Sequence, residues 1–225
     1  MTTLGLIGSG NIGSTVARLA IAAGLDVVLS NSRGPQTLAE LVAELGPRAR
    51  AATAEEAGAA GDIVVVAVPL RNYQQIPVAP LAGKVVIDAG NYYPDRDGTL
   101  PELADGAMTT SELLQKQLPT SKVVKAFNNI YFLHLAALAR PVGSPDRTAL
   151  PIAGDDVDAK AAAAQLLDVL GYDTVDAGPL SESWRFQPNT PAYTDAYATG
   201  VPFWEKAAAP ADAAKIRALL AAAQH

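Results

Sequence analysis

Gly8, Gly10 and Gly13 stand in the stretch "GSGNIG", and the G-x-G-x-x-G spacing is that of a loop able to receive a pyrophosphate. The first glycine permits a tight turn, the second a close backbone approach to the anion, and the third close packing of a helix on a strand. Free amides at the start of that helix would then point at the phosphates. About 20 residues further on, a carboxylate would accept hydrogen bonds from a ribose 2′-hydroxyl but repel a 2′-phosphate. The chain reads "SNSRG" there instead, with hydroxyl, amide and guanidinium donors. The residues expected to hold NADP(H) are therefore Gly8, Ser9, Gly10, Asn11, Ile12, Gly13, Ser30, Asn31, Ser32 and Arg33.

Groups suited to acid–base or metal chemistry are scarce. The chain has no cysteine and two histidines, His134 and His225, which removes thiol chemistry and leaves no expected metal site. Asp95 and Asp97 in "YYPDRDG" read as turn residues, because calcium-loop spacing is missing. Asp155 and Asp156 precede a helical stretch and read as caps. Trp184, Arg185 and Phe186 in "SESWRFQ" either anchor a long tail or line a pocket for a flat ring. Asn128, Tyr131 and His134 remain as candidates for the reacting end. An amide at Asn128 would orient a ligand rather than titrate, and His134 is either an acid–base group or a structural imidazole. If a nicotinamide passes hydride to a flavin-like ring, the protein mainly aligns two faces and needs no acid–base pair.

These residues need a scaffold that carries them to one place. Leu4 to Ile7, "DVVLS", "DIVVVAVP", "KVVIDAG" and "KVVKAF" are continuous apolar runs of the kind buried in a parallel sheet, with a weaker strand near "RARAA". Between the first of them lie helical patterns in "NIGSTVARLAIAAG" and "PQTLAELVAELG". After residue 127 "IYFLHLAALA" reads as an apolar helix, and after the turn-rich "RPVGSPDR" one more strand, helix, strand unit follows. An alanine-rich helix is expected at about 211 to 223. The expected fold is α/β, a Rossmann-type doubly wound parallel sheet with a small C-terminal α/β lobe. Residues 1–140 would form the NADP-binding part and 141–225 the lobe, contributing to the acceptor pocket and dimer interface. Ligands of such sheets lie beyond the carboxyl ends of the strands, which adds Val68, Pro69, Ala89 and Asn91 to the expected cofactor contacts.

With 17 Lys and Arg against 23 Asp and Glu, the net charge of −6 offers no footprint for nucleic acid or an anionic membrane. The start "MTTLGLIGSG" lacks a basic leader, and the apolar run 63–70 is far shorter than a membrane span. A soluble, cytoplasmic protein acting on a small molecule is the expectation.

The stretches "GLIGSGNIGSTVARLAIAAG", "NSRGP", "VVVAVP", "VVKAFNNI", "PIAGDD" and "DAGPLSESW" resemble the coenzyme F-420-dependent NADP oxidoreductases, over residues 4 to about 186. "KAFNNI" is also similar to the reductase domain of the STEAP metalloreductases. The resemblance implies a homodimer and hydride exchange between NADP(H) and a deazaflavin or flavin. It matches Ser9 to Ile12 to the phosphate loop, Ser32 and Arg33 to the 2′-phosphate contacts, and Val68 and Pro69 to the nicotinamide side. Lys125 and Asn128 also resemble the lysine and asparagine of 3-hydroxyacid dehydrogenases. An NADP-dependent dehydrogenase of a small hydroxy acid or imine, or a non-catalytic NADP(H) sensor, thus stand as alternatives.

Overall fold

A computed structural model describes residues 2–104 and 106–224. The strands are β1 (Thr3–Ile7), β2 (Asp26–Ser30), β3 (Ala49–Ala51), β4 (Ile63–Val66), β5 (Val85–Asp88), β6 (Lys122–Lys125), β7 (Ala149–Gly154) and β8 (Asp173–Asp176). The helices are α1 (Asn11–Ala22), α2 (Ala39–Leu45), α3 (Ala54–Ala60), the one-turn α4 (Pro94–Asp97) and α5 (Pro101–Ala104), α6 (Thr110–Gln117), α7 (Phe132–Ala137), α8 (Val157–Val169) and α9 (Ala213–Ala221).

The strands form one sheet in the order β3-β2-β1-β4-β5-β6-β7-β8. β1 pairs in parallel with both β2 and β4, so the chain winds outward in one direction and then returns to wind in the other. That reversal opens a crevice at the carboxyl ends of β1 and β4. β4 and β5 are buried almost throughout, which is why their sequences are unbroken apolar runs rather than alternating ones. The sheet is mixed: β7 runs antiparallel to β6, with Val124 opposite Gly154 and Lys125 opposite Ala153. β8 is parallel to β7, with α8 between them in sequence. The strand, helix, strand unit after residue 140 thus adds to the edge of the same sheet. One apolar cluster joins Leu4 and Ile87 to Leu150, Tyr172 and Ile216.

Several boundaries differ from the sequence pattern for local reasons. The run "KVVKAF" stops being a strand at Lys125, because Phe127 has φ 64, a left-handed conformation that costs a side-chain-bearing residue roughly 1–2 kcal/mol. Phe127 is fully buried, and core packing holds it there. Pro35–Leu38 is a 3-10 turn ahead of α2, and α7 fills only the middle of its apolar stretch. α3 and α6, absent from the periodicity reading, each start on a capping box, Thr53 with Glu56 and Thr109 with Glu112. Asp156 and Asp212 cap α8 and α9 through Ala159 N and Lys215 N. Among the described residues, no helix is long and apolar enough to cross a membrane.

From Leu180 to Glu205 the chain runs through 3-10 turns and returns over the ends of β5 and β6. Asn128 Nδ2 donates to Phe186 O at 3.0 Å, and Asn129 Nδ2 donates to Ala192 O at 2.8 Å and to Tyr197 Oη at 2.9 Å. Two consecutive asparagines after β6 thus fasten the tail across the crevice.

Candidate functional site

The glycine loop is packed hard on one side and open on the other. Gly8 has φ 104, and a Cβ at Gly13 would lie 2.0 Å from Gly8 O, so the turn and the approach of α1 both require glycine. A Cβ at Gly10 would meet no protein atom within 4 Å. Gly10 is the N-cap of α1, no side chain caps that helix, and its first turn contains no acidic residue. Uncapped amides before open space fit a pyrophosphate.

The turn after β2 divides its labour. Ser9 Oγ donates to Ser30 O, and Ser30 Oγ donates to Leu6 O, both at 2.9 Å. Ser30 is fully buried, so the hydroxyl expected to meet a cofactor instead ties β2 to β1. Asn31 is also engaged internally: its Nδ2 donates to Thr37 Oγ1 and its Oδ1 accepts from Arg33 N. That shapes the turn and leaves Ser32 and Arg33 exposed. The Arg33 guanidinium has no hydrogen bond or ion pair among those of the described residues, and a recess of about 70 Å³ lies beneath the turn.

Toward the other end of the crevice, a cleft of about 500 Å³ brings together Gly10, Asn11, Ile12, Val68, Pro69, Ala89, Asn91, Asn128 and Tyr131. Residues from four separate segments therefore meet where the sheet topology requires. His134 does not reach this wall. It is buried, its Nε2 lies 3.0 Å from Lys206 O, and its ring meets that of Tyr131 edge-on at 5.4 Å. Its contacts are to Tyr131 and the tail. Tyr93, Arg96, Tyr193, Phe203 and Trp204 complete the wall, and the sequence reading had not singled them out for it. Tyr131, Phe203 and Trp204 form an edge-to-face chain with centroids 5.3 and 5.0 Å apart. The signal for it was aromatic density in "TPAYTDAYATGVPFWEK", a stretch without period.

Hydrogen bonds fix the polar part of the wall. Asn91 Nδ2 donates to Asn128 O at 2.7 Å, and Asn128 Nδ2 donates back to Asn91 Oδ1 at 3.1 Å. Beside them the hydroxyls of Tyr93 and Tyr193 lie 2.5 Å apart, joining the loop after β5 to the tail. Burial, and then the bond to Tyr93, push the Tyr193 phenol far above its usual range, so it stays protonated. Arg96 donates to Asn91 O and to both carboxylate oxygens of Asp97, and its guanidinium lies 4.8 Å from the centre of the Tyr93 ring.

Behind the cleft sits a buried polar network that the sequence reading missed. Asp88, the last residue of β5, accepts from Tyr73 Oη and Gly90 N on one oxygen and from Ser111 Oγ and Lys125 Nζ on the other. Lys125 also donates to Gly90 O and to Thr110 Oγ1. Burial pulls the Lys125 ammonium below its ordinary value, and Asp88 works against that pull. Burial, followed by the Asp88 charge, raises the Tyr73 phenol. Every proton of the Lys125 ammonium is engaged inside the protein, so it is not presented to a ligand as in the hydroxyacid-dehydrogenase comparison. A lysine and an aspartate at matching ends of adjacent apolar strands were the available clue.

Residues 3–92, which carry the glycine loop, the "SNSRG" turn and the ends of β4 and β5, match the family described as NADP oxidoreductase, coenzyme F-420-dependent. Over that segment the chain is similar to this family. Several relatives extend beyond it. A protein of Sinorhizobium meliloti, SMa0349, is 32% identical with a TM-score of 0.75, over 86% of this chain and 93% of its own. An Arthrobacter sp. FB24 protein described as an F-420-dependent NADP reductase is 26% identical with a TM-score of 0.68, over 81% of this chain and 87% of its own. Metalloreductase STEAP3 of Rattus norvegicus is 29% identical over 80% of this chain and 34% of its own length. The chain spans less than half the length of the curated relatives it matches. The similarity to NADP oxidoreductases thus falls on the segment that carries the open phosphate loop, and the cleft beyond that loop is lined by the aromatic rings of Tyr131, Phe203 and Trp204.

Proposed function

We propose that this oxidoreductase transfers a hydride between NADP(H) and a flat ring of the flavin or deazaflavin type, held in the 500 Å³ cleft. One observation carries the choice of acceptor: among the described residues lining that cleft, the ionisable ones are Tyr93, Arg96, Tyr131 and Tyr193, with no carboxylate, histidine or lysine. Carbonyl reduction is accelerated by a placed proton donor tuned near the working pH. Tyr193 holds its proton too tightly, and Lys125 is committed behind the wall. A flavin-type ring takes hydride on the ring itself and can draw its proton from water. The description of the Arthrobacter protein as an F-420-dependent reductase supports the same class of ring.

NADPH, when bound, supplies the hydride. The α1 amides and Gly8 to Gly13 hold its pyrophosphate, and Ser32 and Arg33 hold the 2′-phosphate. Val68, Pro69 and Ala89 form the floor at the nicotinamide end. Asn128 keeps Asn91 and the tail in register, and Tyr131 with Phe203 and Trp204 forms the wall against which an acceptor ring stacks. His134 acts as a positioning residue through Tyr131. Residues 1–140 bind the cofactor, residues 141–225 complete the acceptor pocket, and the protein works as a cytoplasmic homodimer in this proposal. The aromatic-rich tail from 184 to 204 supplies the dimer contact in this proposal.

NADPH oxidation against riboflavin, FMN, FAD, coenzyme F-420, small ketones and cyclic imines tests the proposal. Turnover with one or more ring acceptors and none with ketones or imines is the expected outcome. Turnover confined to ketones or imines sinks it.

A further inference from the structure

Beyond the Tyr93–Tyr193 hydroxyl pair lies a second cavity of about 850 Å³, which shares Tyr93, Tyr193, Thr194, Phe203 and Trp204 with the first. A ligand whose ring occupies the inner cleft has this outer chamber as the adjoining space for whatever is attached to the ring. Asp95 and Asp195 line the outer chamber, both exposed, and no lysine, arginine or histidine lines it among the described residues. Across both cavities the cation on the wall is Arg96, whose guanidinium is occupied by Asp97, by Asn91 O and by the Tyr93 ring. The protein's provision for anions is in Arg33 and in the α1 amides, where Gly10 and Asn11 border the inner cleft and would be taken by the pyrophosphate of NADP(H); none of these residues lines the outer chamber.

Resting on the hydride-transfer reading above, we infer that the acceptor carries no anionic group on its side chain: it is a neutral ring compound of the riboflavin class, not FMN, FAD or coenzyme F-420. A phosphate in the outer chamber would meet two carboxylates, and among the described residues no lysine, arginine or histidine lines that chamber to offset them. In partly screened surroundings that repulsion amounts to roughly tenfold in the specificity constant. The reaction balances without further reactants. NADPH gives up two electrons and one hydrogen as hydride, which bonds to the oxidised ring; water provides one proton, leaving NADP⁺ and the two-electron-reduced ring.

The test compares kcat/KM for riboflavin, FMN, FAD and coenzyme F-420 at saturating NADPH, at low and at moderate ionic strength. It is repeated with Asp195→Lys and, from the other segment that lines the chamber, Asp95→Lys. Riboflavin exceeding FMN by about tenfold at low salt is expected, with the gap narrowing as salt screens the carboxylates. Each lysine variant should lower the riboflavin-to-FMN ratio by about threefold or more. FMN or coenzyme F-420 matching riboflavin at low salt, or a ratio unmoved by both variants, overturns the inference and leaves the hydride-transfer reading standing. Failure of every ring acceptor removes that reading, and the inference with it.

Discussion

Lys125 and Asp88 lie 3.1 Å apart on neighbouring strands, with side chains 1% and 0% exposed, directly behind the loop that presents Asn91 to the cleft. A buried pair of this kind is costly to break from one side, because the remaining charge has no water to solvate it. Lys125→Met should therefore lower unfolding stability by about 3 to 5 kcal/mol in urea titrations. The double variant Asp88→Asn/Lys125→Met should lose clearly less than the sum of the two single ones. A loss below about 1 kcal/mol for Lys125→Met would show that the pair is not holding this part of the sheet.

At the adenosine end, Arg33→Ala should weaken NADPH binding by about 1.5 to 3 kcal/mol, the size of a hydrogen bond to a charged group. NADH affinity should hardly change, since Arg33 meets only the 2′-phosphate in the proposed arrangement. Fluorescence titration with both nucleotides checks this, and wild-type protein that binds NADH as tightly as NADPH would contradict it.

The candidate phosphate loop is legible in the sequence because its geometry is local. Three glycines at fixed offsets and the "SNSRG" turn lie next to the strands that place them, so spacing alone located the loop and the exposed Arg33. The alternation of apolar runs and helical patterns likewise gave the doubly wound sheet. What escaped was non-local. Nothing in the spacing of Asp88, Thr110 and Lys125 shows that they meet, and the left-handed Phe127 just past the end of β6 is marked by no pattern. Tyr193, Phe203 and Trp204 join the cleft only because Asn128 and Asn129 hold the tail across it. The rarity of histidine marks His134 as a candidate for chemistry, whereas packing places its ring edge-on against Tyr131, outside the cleft lining.

Asn128→Ala removes the donor that holds both Asn91 and Phe186 O. The rate with a ring acceptor should fall while NADPH affinity stays within about threefold, because the phosphate contacts are untouched and only alignment suffers. Kinetics normalised to folded protein, run beside thermal melts, separate this from simple destabilisation. An unchanged rate per folded molecule would assign Asn128 to the scaffold alone.

Asp97 gives a pH prediction. Burial pulls its pKa upward, but bonds from Arg96 and from Tyr93 N outweigh that and leave it below the ordinary carboxylate value. A depressed folded pKa stabilises the fold above the unfolded value of about 3.9, and the contribution is lost as pH falls through the folded value. Asp97→Asn should thus be less stable than wild type at neutral pH, and the two should converge below about pH 4. A stability difference that persists undiminished in acid would show that the ionised carboxylate is not what matters.

Light scattering at micromolar concentration should give the mass of a dimer. A monomer in the wild type removes the dimer from the proposal.

The most direct measurement is an anaerobic single turnover, in which protein loaded with NADPH is mixed with excess oxidised riboflavin, and in parallel with FMN. The expected result is loss of the NADPH absorbance and bleaching of the flavin at one common rate, slowed when the transferred hydrogen at the nicotinamide C4 is deuterium. NADPH that remains bound and unoxidised in the presence of both flavins would contradict hydride transfer to a flat ring.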